Sequence, residues 1–135
     1  MPASGGSTDA FDEFRIEEER LDRGTVVIAI HGDADLRTAS ELKDRLGAAI
    51  DEGPTALVLD LTGATFLDSM ALGIFLGGMK RLQAKGGRFR VVAPRTEIRR
   101  IFEMTLLDRV FDLDASRQAA LAATASGNGR VRPVG

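Results

Sequence analysis

Few side chains in this sequence have the type and spacing to do chemistry, and the most suggestive pair is Asp68-Ser69. It stands where an apolar run, Thr55 to Leu61, passes through a short link into an amphipathic stretch that begins at Ser69. A hydroxyl at a helix start serves either as an ordinary cap or as a place to receive a partner or a phosphate. The residues alone leave both readings open. The other polar candidates are Asp33 and Asp35 in the stretch after Ile30, the lone histidine His31, Asp60 at the end of an apolar run, and Gly86-Gly87-Arg88.

Enzymatic uses of these residues do not assemble. Ser69 lacks the G-x-S-x-G elbow of α/β-hydrolases, and His31 lies on a different strand end with nothing to mark it as a general base. A serine hydrolase is therefore a distant reading. Asp60 sits as a receiver-type phosphoacceptor would, yet a magnesium site needs an acidic pair after the first strand, where this chain has Ile30-His31-Gly32. Gly86-Gly87-Arg88 lacks the Lys-Ser/Thr ending of a phosphate-binding loop and reads as a helix stop. Without cysteine, thiolate metal sites are excluded, and one histidine cannot build a zinc site without a cluster of carboxylates around it. No catalytic residue, metal or cofactor is expected.

Composition narrows the class further. The chain has 135 residues, 44% of them hydrophobic, and a net charge of -2, which suits one domain with its own core and gives no basic field for nucleic acid. No stretch reaches the ~18 apolar residues of a membrane span, so no membrane insertion and a cytoplasmic location are expected. Residues 1–10 and 126–135, rich in small and polar types, are expected as disordered tails around a domain over 11–125.

The elements that must position Ser69 follow from periodicity. Phe14 to Leu21 reads as an edge strand, Asp22-Arg23-Gly24 as a turn, and Thr25 to Ile30 as a strand covered on both faces, paired with its predecessor as a hairpin. His31 to Arg37 is too polar to continue the strand and reads as a loop. A helix is expected from Thr38, with Thr38 and Glu41 at capping-box spacing and Leu42, Leu46, Ala49 and Ile50 on one face, stopped by Gly53-Pro54. A strand over Thr55 to Leu61 then implies a right-handed βαβ crossover and parallel pairing.

The second helix is expected from Ser69 to about Lys85, with Leu72, Phe75, Leu76, Met79 and Leu82 inward. Its Gly73, Gly77 and Gly78 each cost about 1 kcal/mol against Ala, which implies close packing or room for a partner. A strand over Phe89 to Val92 follows. A third helix has Pro94 in its first turn and Ile98, Ile101, Phe102 and Leu106 on one face, with Arg95, Arg99 and Arg100 in water. A short strand over Val110 to Leu113 and a helix over Ser116 to Thr124 complete an α/β fold: a mixed sheet of four or five strands with about four helices packed on it.

Three segments together carry a resemblance. Gly32 to Ala39 (Gly-Asp-Ala-Asp-Leu-Arg-Thr-Ala), Leu57-Val58-Leu59-Asp60-Leu61, and Phe66 to Gly73 (Phe-Leu-Asp-Ser-Met-Ala-Leu-Gly) resemble the STAS domain of bacterial anti-sigma factor antagonists. The likeness continues through Gly86-Gly87 and Ile98 to Met104, covering roughly Phe14 to Ala123. It implies a partner switch. The unmodified chain would bind an anti-sigma factor that is also a serine kinase and so free the sigma factor; phosphorylation would release it, and a PP2C-type phosphatase would reset it. The resemblance places the phosphate on Ser69 and the partner surface around Asp33, Asp35, Thr38, Asp68, Ser69, Met70 and Leu72, in a monomer or weak dimer. Met70-Ala71 stands where the family has Ser or Thr and then Gly, and Ala34 where a larger apolar residue is common. An unphosphorylated STAS scaffold, as in stressosomes, sensors or lipid transporters, is the alternative.

Overall fold

Two runs of consecutive apolar residues form the centre of the sheet. In the computed structural model, which describes residues 13–21 and 24–125, Val26 to Ile30 and Leu57 to Leu59 are all buried. They lie in β2 (Thr25–Ala34) and β3 (Ala56–Leu67). β1 (Arg15–Arg20) pairs antiparallel with β2, while β3, β4 (Arg88–Val92) and β5 (Asp112–Asp114) continue in parallel, giving the order β1-β2-β3-β4-β5. The described residues thus form the mixed five-stranded sheet expected from the sequence. The tails over 1–10 and 126–135, with Asp22 and Arg23 of the first turn, lie outside the described residues.

Both central strands run further than their apolar patterns. β2 does not stop at Ile30 but continues through His31-Gly32-Asp33 to Ala34, and β3 passes Leu61 to reach Leu67. Alternation explains it: Ile30, Gly32 and Ala34 are buried, while His31 and Asp33 are partly open. Register shifts between Ala29 and His31 and between Gly32 and Asp33 bend the pair. Gly32 makes that bend possible. Its φ is +88°, and a Cβ there would lie 2.6 Å from the Glu13 carbonyl oxygen.

Consecutive parallel strands with right-handed crossovers put their helices on one face. α1 (Ala39–Asp51) buries Leu42, Leu46, Ala49 and Ile50; α2 (Ser69–Ala84) buries Leu72, Phe75, Met79 and Leu82; α3 (Thr96–Met104) buries Ile98 and Phe102. These side chains share one core with the Ile28, Leu57 and Leu59 row of the sheet. Phe111 completes it edge-on against Phe102, with ring centroids 5.5 Å apart. Because Phe111 turns into the core, the last strand starts at Asp112 rather than Val110.

The third helix departs from expectation at both ends. It begins at Thr96, so Pro94 precedes it. It stops at Met104, so Leu106, 56% exposed and in a left-handed conformation (φ 63°), belongs to no buried face. Arg95 and Arg99 do more than face water, donating to the carbonyls of Ala64 and Ala93, each at 3.3 Å.

The opposite face of the sheet is covered by α4 (Arg117–Ala125), one residue later than expected because Ser116 serves as its cap, its Oγ accepting from the Ala119 N–H at 3.0 Å. Ala120 closes over Val27, Val58 and Val92. On the same face lies Asp60, 6% exposed, which explains its place without any phosphoacceptor role. Its Oδ1 accepts from the Thr62 amide at 3.0 Å and hydroxyl at 2.6 Å, and its Oδ2 from Arg117 Nε at 3.0 Å. Arg117 continues to Glu19 on β1 at 2.9 Å. Burial opposes ionisation of Asp60, but the Thr62 and Arg117 hydrogen bonds outweigh it and hold the carboxyl below its ordinary value.

A depressed folded-state pKa contributes stability above the unfolded value and loses it as pH falls through the folded one. Thermal stability of the wild type should therefore fall below about pH 4. Asp60→Ala should cost about 1–3 kcal/mol at pH 7 by leaving Thr62 and Arg117 without their acceptor, and should flatten that acid slope.

Candidate functional site

Helix α2 needs an acceptor for its first amides, and the aspartate supplies it. Asp68, extended at φ -107° and ψ -177°, is the N-cap residue, with Oδ1 accepting from the Ala71 N–H at 3.0 Å. Its other oxygen, Oδ2, accepts from the Leu36 N–H at 3.0 Å, and its own amide donates to the Ala34 carbonyl at 3.2 Å. One side chain thus caps α2 and pins the loop between β2 and α1 to it. The choice left open by the sequence resolves in favour of Asp68 as the cap.

Ser69 is thereby relieved of structural work. It is the first residue of α2, exposed, and its hydroxyl has no hydrogen-bond partner among the described residues. Among the described residues no base bonds to it. His31 Nε2 lies instead 3.2 Å from Glu17 Oε1, and the ring rests so closely on Gly63 that a Cβ there would lie 2.3 Å from Nδ1. Hydrogen bonds from Arg15 and then His31 hold the Glu17 carboxyl below its ordinary value.

The acidic residues gather at the same end of the sheet. Asp33 Oδ1 accepts from the Thr65 hydroxyl at 2.6 Å, linking the extended ends of β2 and β3. Asp35 accepts from the Arg37 amide at 3.0 Å and guanidinium at 3.2 Å. Thr38, expected to cap α1 with Glu41, makes no side-chain cap. Its hydroxyl instead accepts from the Asp35 N–H at 3.0 Å and lies within donating distance of the Asp33 and Asp35 carbonyls, at 3.3 and 3.2 Å. The loop's own geometry outcompetes the capping box here, because the hydroxyl finds partners in the turn before it reaches the helix amides.

Of the remaining expected contact residues, Met70 is 44% exposed, but Leu72 is only 6% exposed and belongs to the core. Leu72 holds α2 down and offers little surface. The structure adds two residues that sequence reasoning passed over: Leu36, 68% exposed, and Phe66, 47% exposed. Leu36 is bonded through its amide to Asp68, and Phe66 lies opposite Asp33 in the ladder. With Met70 they leave three large apolar side chains in water at this end of the sheet, a candidate contact surface. The signal in the sequence was a leucine and a phenylalanine that fit no helical or strand face.

The glycines of α2 divide into two kinds. At Gly78 a Cβ would meet Leu46 Cδ2 at 2.9 Å and Ile50 Cδ1 at 3.1 Å, so α1 packs directly on the backbone; at Gly73 and Gly77 nothing lies within 4 Å.

Comparison with known proteins agrees with this architecture. The STAS domain family matches residues 18–120. The anti-sigma-F factor antagonist RsfB of Mycobacterium tuberculosis is 34% identical over 104 residues, spanning 77% of this chain and 84% of that protein. A crystal structure of an anti-sigma factor antagonist from Mycobacterium paratuberculosis superposes with a TM-score of 0.77 at 35% identity, covering 83% of this chain and 94% of that one. The antagonist SpoIIAA is 25% identical in its unphosphorylated form, with a TM-score of 0.70 and coverage of 84% and 97%. Its phosphorylated form, from Bacillus, gives 0.64 at the same identity, with coverage of 82% and 99%.

Two stability measurements follow. Asp68→Ala should lower stability by about 1–2 kcal/mol in thermal denaturation, through loss of the cap and of the Leu36 tether. Gly73→Ala and Gly77→Ala should each raise the unfolding free energy from urea denaturation by up to about 1 kcal/mol, whereas Gly78→Ala should lower it.

Proposed function

The chain belongs to the STAS domain family, and on that premise we propose that it is an anti-sigma factor antagonist working by partner switching. Unmodified, it binds an anti-sigma factor and frees the sigma factor; with phosphate on Ser69 it lets go. The protein is not an enzyme. The anti-sigma factor, acting as a serine kinase, brings ATP and magnesium, and a PP2C-type phosphatase removes the phosphate. The exchange takes place in the cytoplasm, and no helix of the described residues is long and apolar enough to cross a membrane.

The observation that carries this reading is the division of labour at the junction: Asp68 caps α2, and Ser69 stands exposed with a free hydroxyl. Around it Asp33, Asp35, Thr38, Asp68 and Met70 form the partner surface, joined by Leu36 and Phe66. A phosphoserine adds about -1.5 to -2 charges at pH 7. In the free protein the amino end of α2 offsets part of that by about 0.3–1 kcal/mol. Under a docked partner the same charge is desolvated next to the Asp68 carboxylate. Taking a complex from mostly bound to mostly free requires about 5.5 kcal/mol of differential affinity, which places Ser69 within the contact.

A second reading, a STAS interaction subunit that is never phosphorylated, draws on Met70-Ala71 in place of the family's Ser/Thr-Gly. The burial of Ala71 at 0% exposure, with its amide bonded to Asp68, argues against it: alanine fits the position without altering the cap.

Incubation with the cognate kinase, ATP and magnesium, followed by mass spectrometric mapping, separates the two. One phosphate on Ser69, lost in Ser69→Ala, is the expected result. No modification, or modification elsewhere, overturns the switch.

A further inference from the structure

We propose that the groove between α1 and α2 receives an amphipathic helix of the anti-sigma factor, seated over Gly73 and Gly77 with a carboxylate paired to Lys43. This rests on the partner-switching reading of Ser69 and extends it from a point to a track. The groove is a cavity of about 570 Å³ whose floor is formed by Leu46, Ile50 and Ile74. Its lining carries two cations, Lys43 and Arg81, and no carboxylate.

The shape fits a helix. Ser69, Gly73, Gly77 and Arg81 follow one another at every fourth position along α2, and Ala39, Lys43 and Gly47 do the same along α1; all of them line the groove. Rows of this spacing are the ridges and grooves into which another helix packs. From Ser69 to Arg81 the row is about 18 Å long, the length of a three-turn helix. The open space at Gly73 and Gly77 lets an incoming ridge approach the α2 backbone.

The charges fit a partner with an acidic flank. Arg81 is engaged by Asp51 at the rim. Lys43 is exposed and has no ion-pair partner among the described residues. A carboxylate on the incoming helix pairs there, beside an apolar ridge that covers Ile74 and Met70. Because Ser69 heads the same row, a phosphate on it stands in the path of that helix and competes with its carboxylate for Lys43. The docking track and the modification site are then one surface.

Binding of the purified cognate anti-sigma factor, measured by calorimetry, tests this with variants distant from the hydroxyl. Gly77→Leu fills the groove two turns from Ser69, and Lys43→Glu reverses the anchoring charge. Each should weaken binding at least about tenfold, with Lys43→Arg close to wild type. Amide exchange in the complex should slow along 69–81 as well as at the loop. If Ser69→Asp releases the factor while both groove variants bind as the wild type does, the groove proposal is overturned and the switch stands. If Ser69→Asp binds unchanged, the partner-switching reading itself falls, and the groove proposal with it. Should Gly77→Leu fold poorly by circular dichroism, Lys43→Glu on the exposed face of α1 decides alone.

Discussion

Both oxygens of the Asp68 carboxylate are committed, one to the Ala71 amide and one to the Leu36 amide, and the geometry of the functional end of the molecule depends on that double acceptance. The first bond starts α2 at a fixed residue. The second ties the β2–α1 loop, with Asp35 and Thr38, to the start of the next crossover. Charge-assisted bonds to amides hold more firmly than neutral ones, so a single side chain sets two backbone segments relative to one another. The exposed hydroxyl of Ser69 and the apolar side chains of Leu36 and Met70 are positioned as a consequence.

Beneath this end the fold is built on unequal faces. Three helices pack one side of the sheet around a continuous aliphatic and aromatic core, while among the described residues α4 is the helix on the other side. So small an apolar patch gives the last helix modest hydrophobic hold, and the Asp60–Arg117–Glu19 chain of ionic contacts adds direction to it, joining β3, α4 and β1. The buried Asp60 is sustained by its hydrogen bonds, since an ionised carboxylate without them would be costly in the interior.

Much of this was legible in the residues. Continuous apolar runs marked the central strands, four-residue spacing marked the inward faces of α1 and α2, and Gly53 and Gly86 marked their ends, all local signals that burial reinforces. What escaped was set by contacts distant in sequence. The extension of β2 through His31-Gly32-Asp33 depends on bulges paired against β3 and on the approach of Glu13. The failure of Thr38 as a cap depends on the path of the preceding turn. The recruitment of Asp68 by Leu36 joins residues 32 positions apart. The exposed Leu36 and Phe66 were invisible for a related reason: a pattern rule reports apolar residues that fit a face, and these fit none.

The separation of cap from hydroxyl also bears on how long a form modified at Ser69 would last in the cell. Had Ser69 capped α2, adding a group to it would have removed a bond the fold needs, and the modified molecule would unfold and be degraded more readily than the unmodified one. With the cap on Asp68, a group added to the Ser69 hydroxyl would leave the bonds of the cap and of the Leu36 tether in place, so modification there would not by itself speed clearance. Under the proposed switch, the ratio of the two pools would then follow the opposing activities that add and remove the phosphate rather than protein turnover.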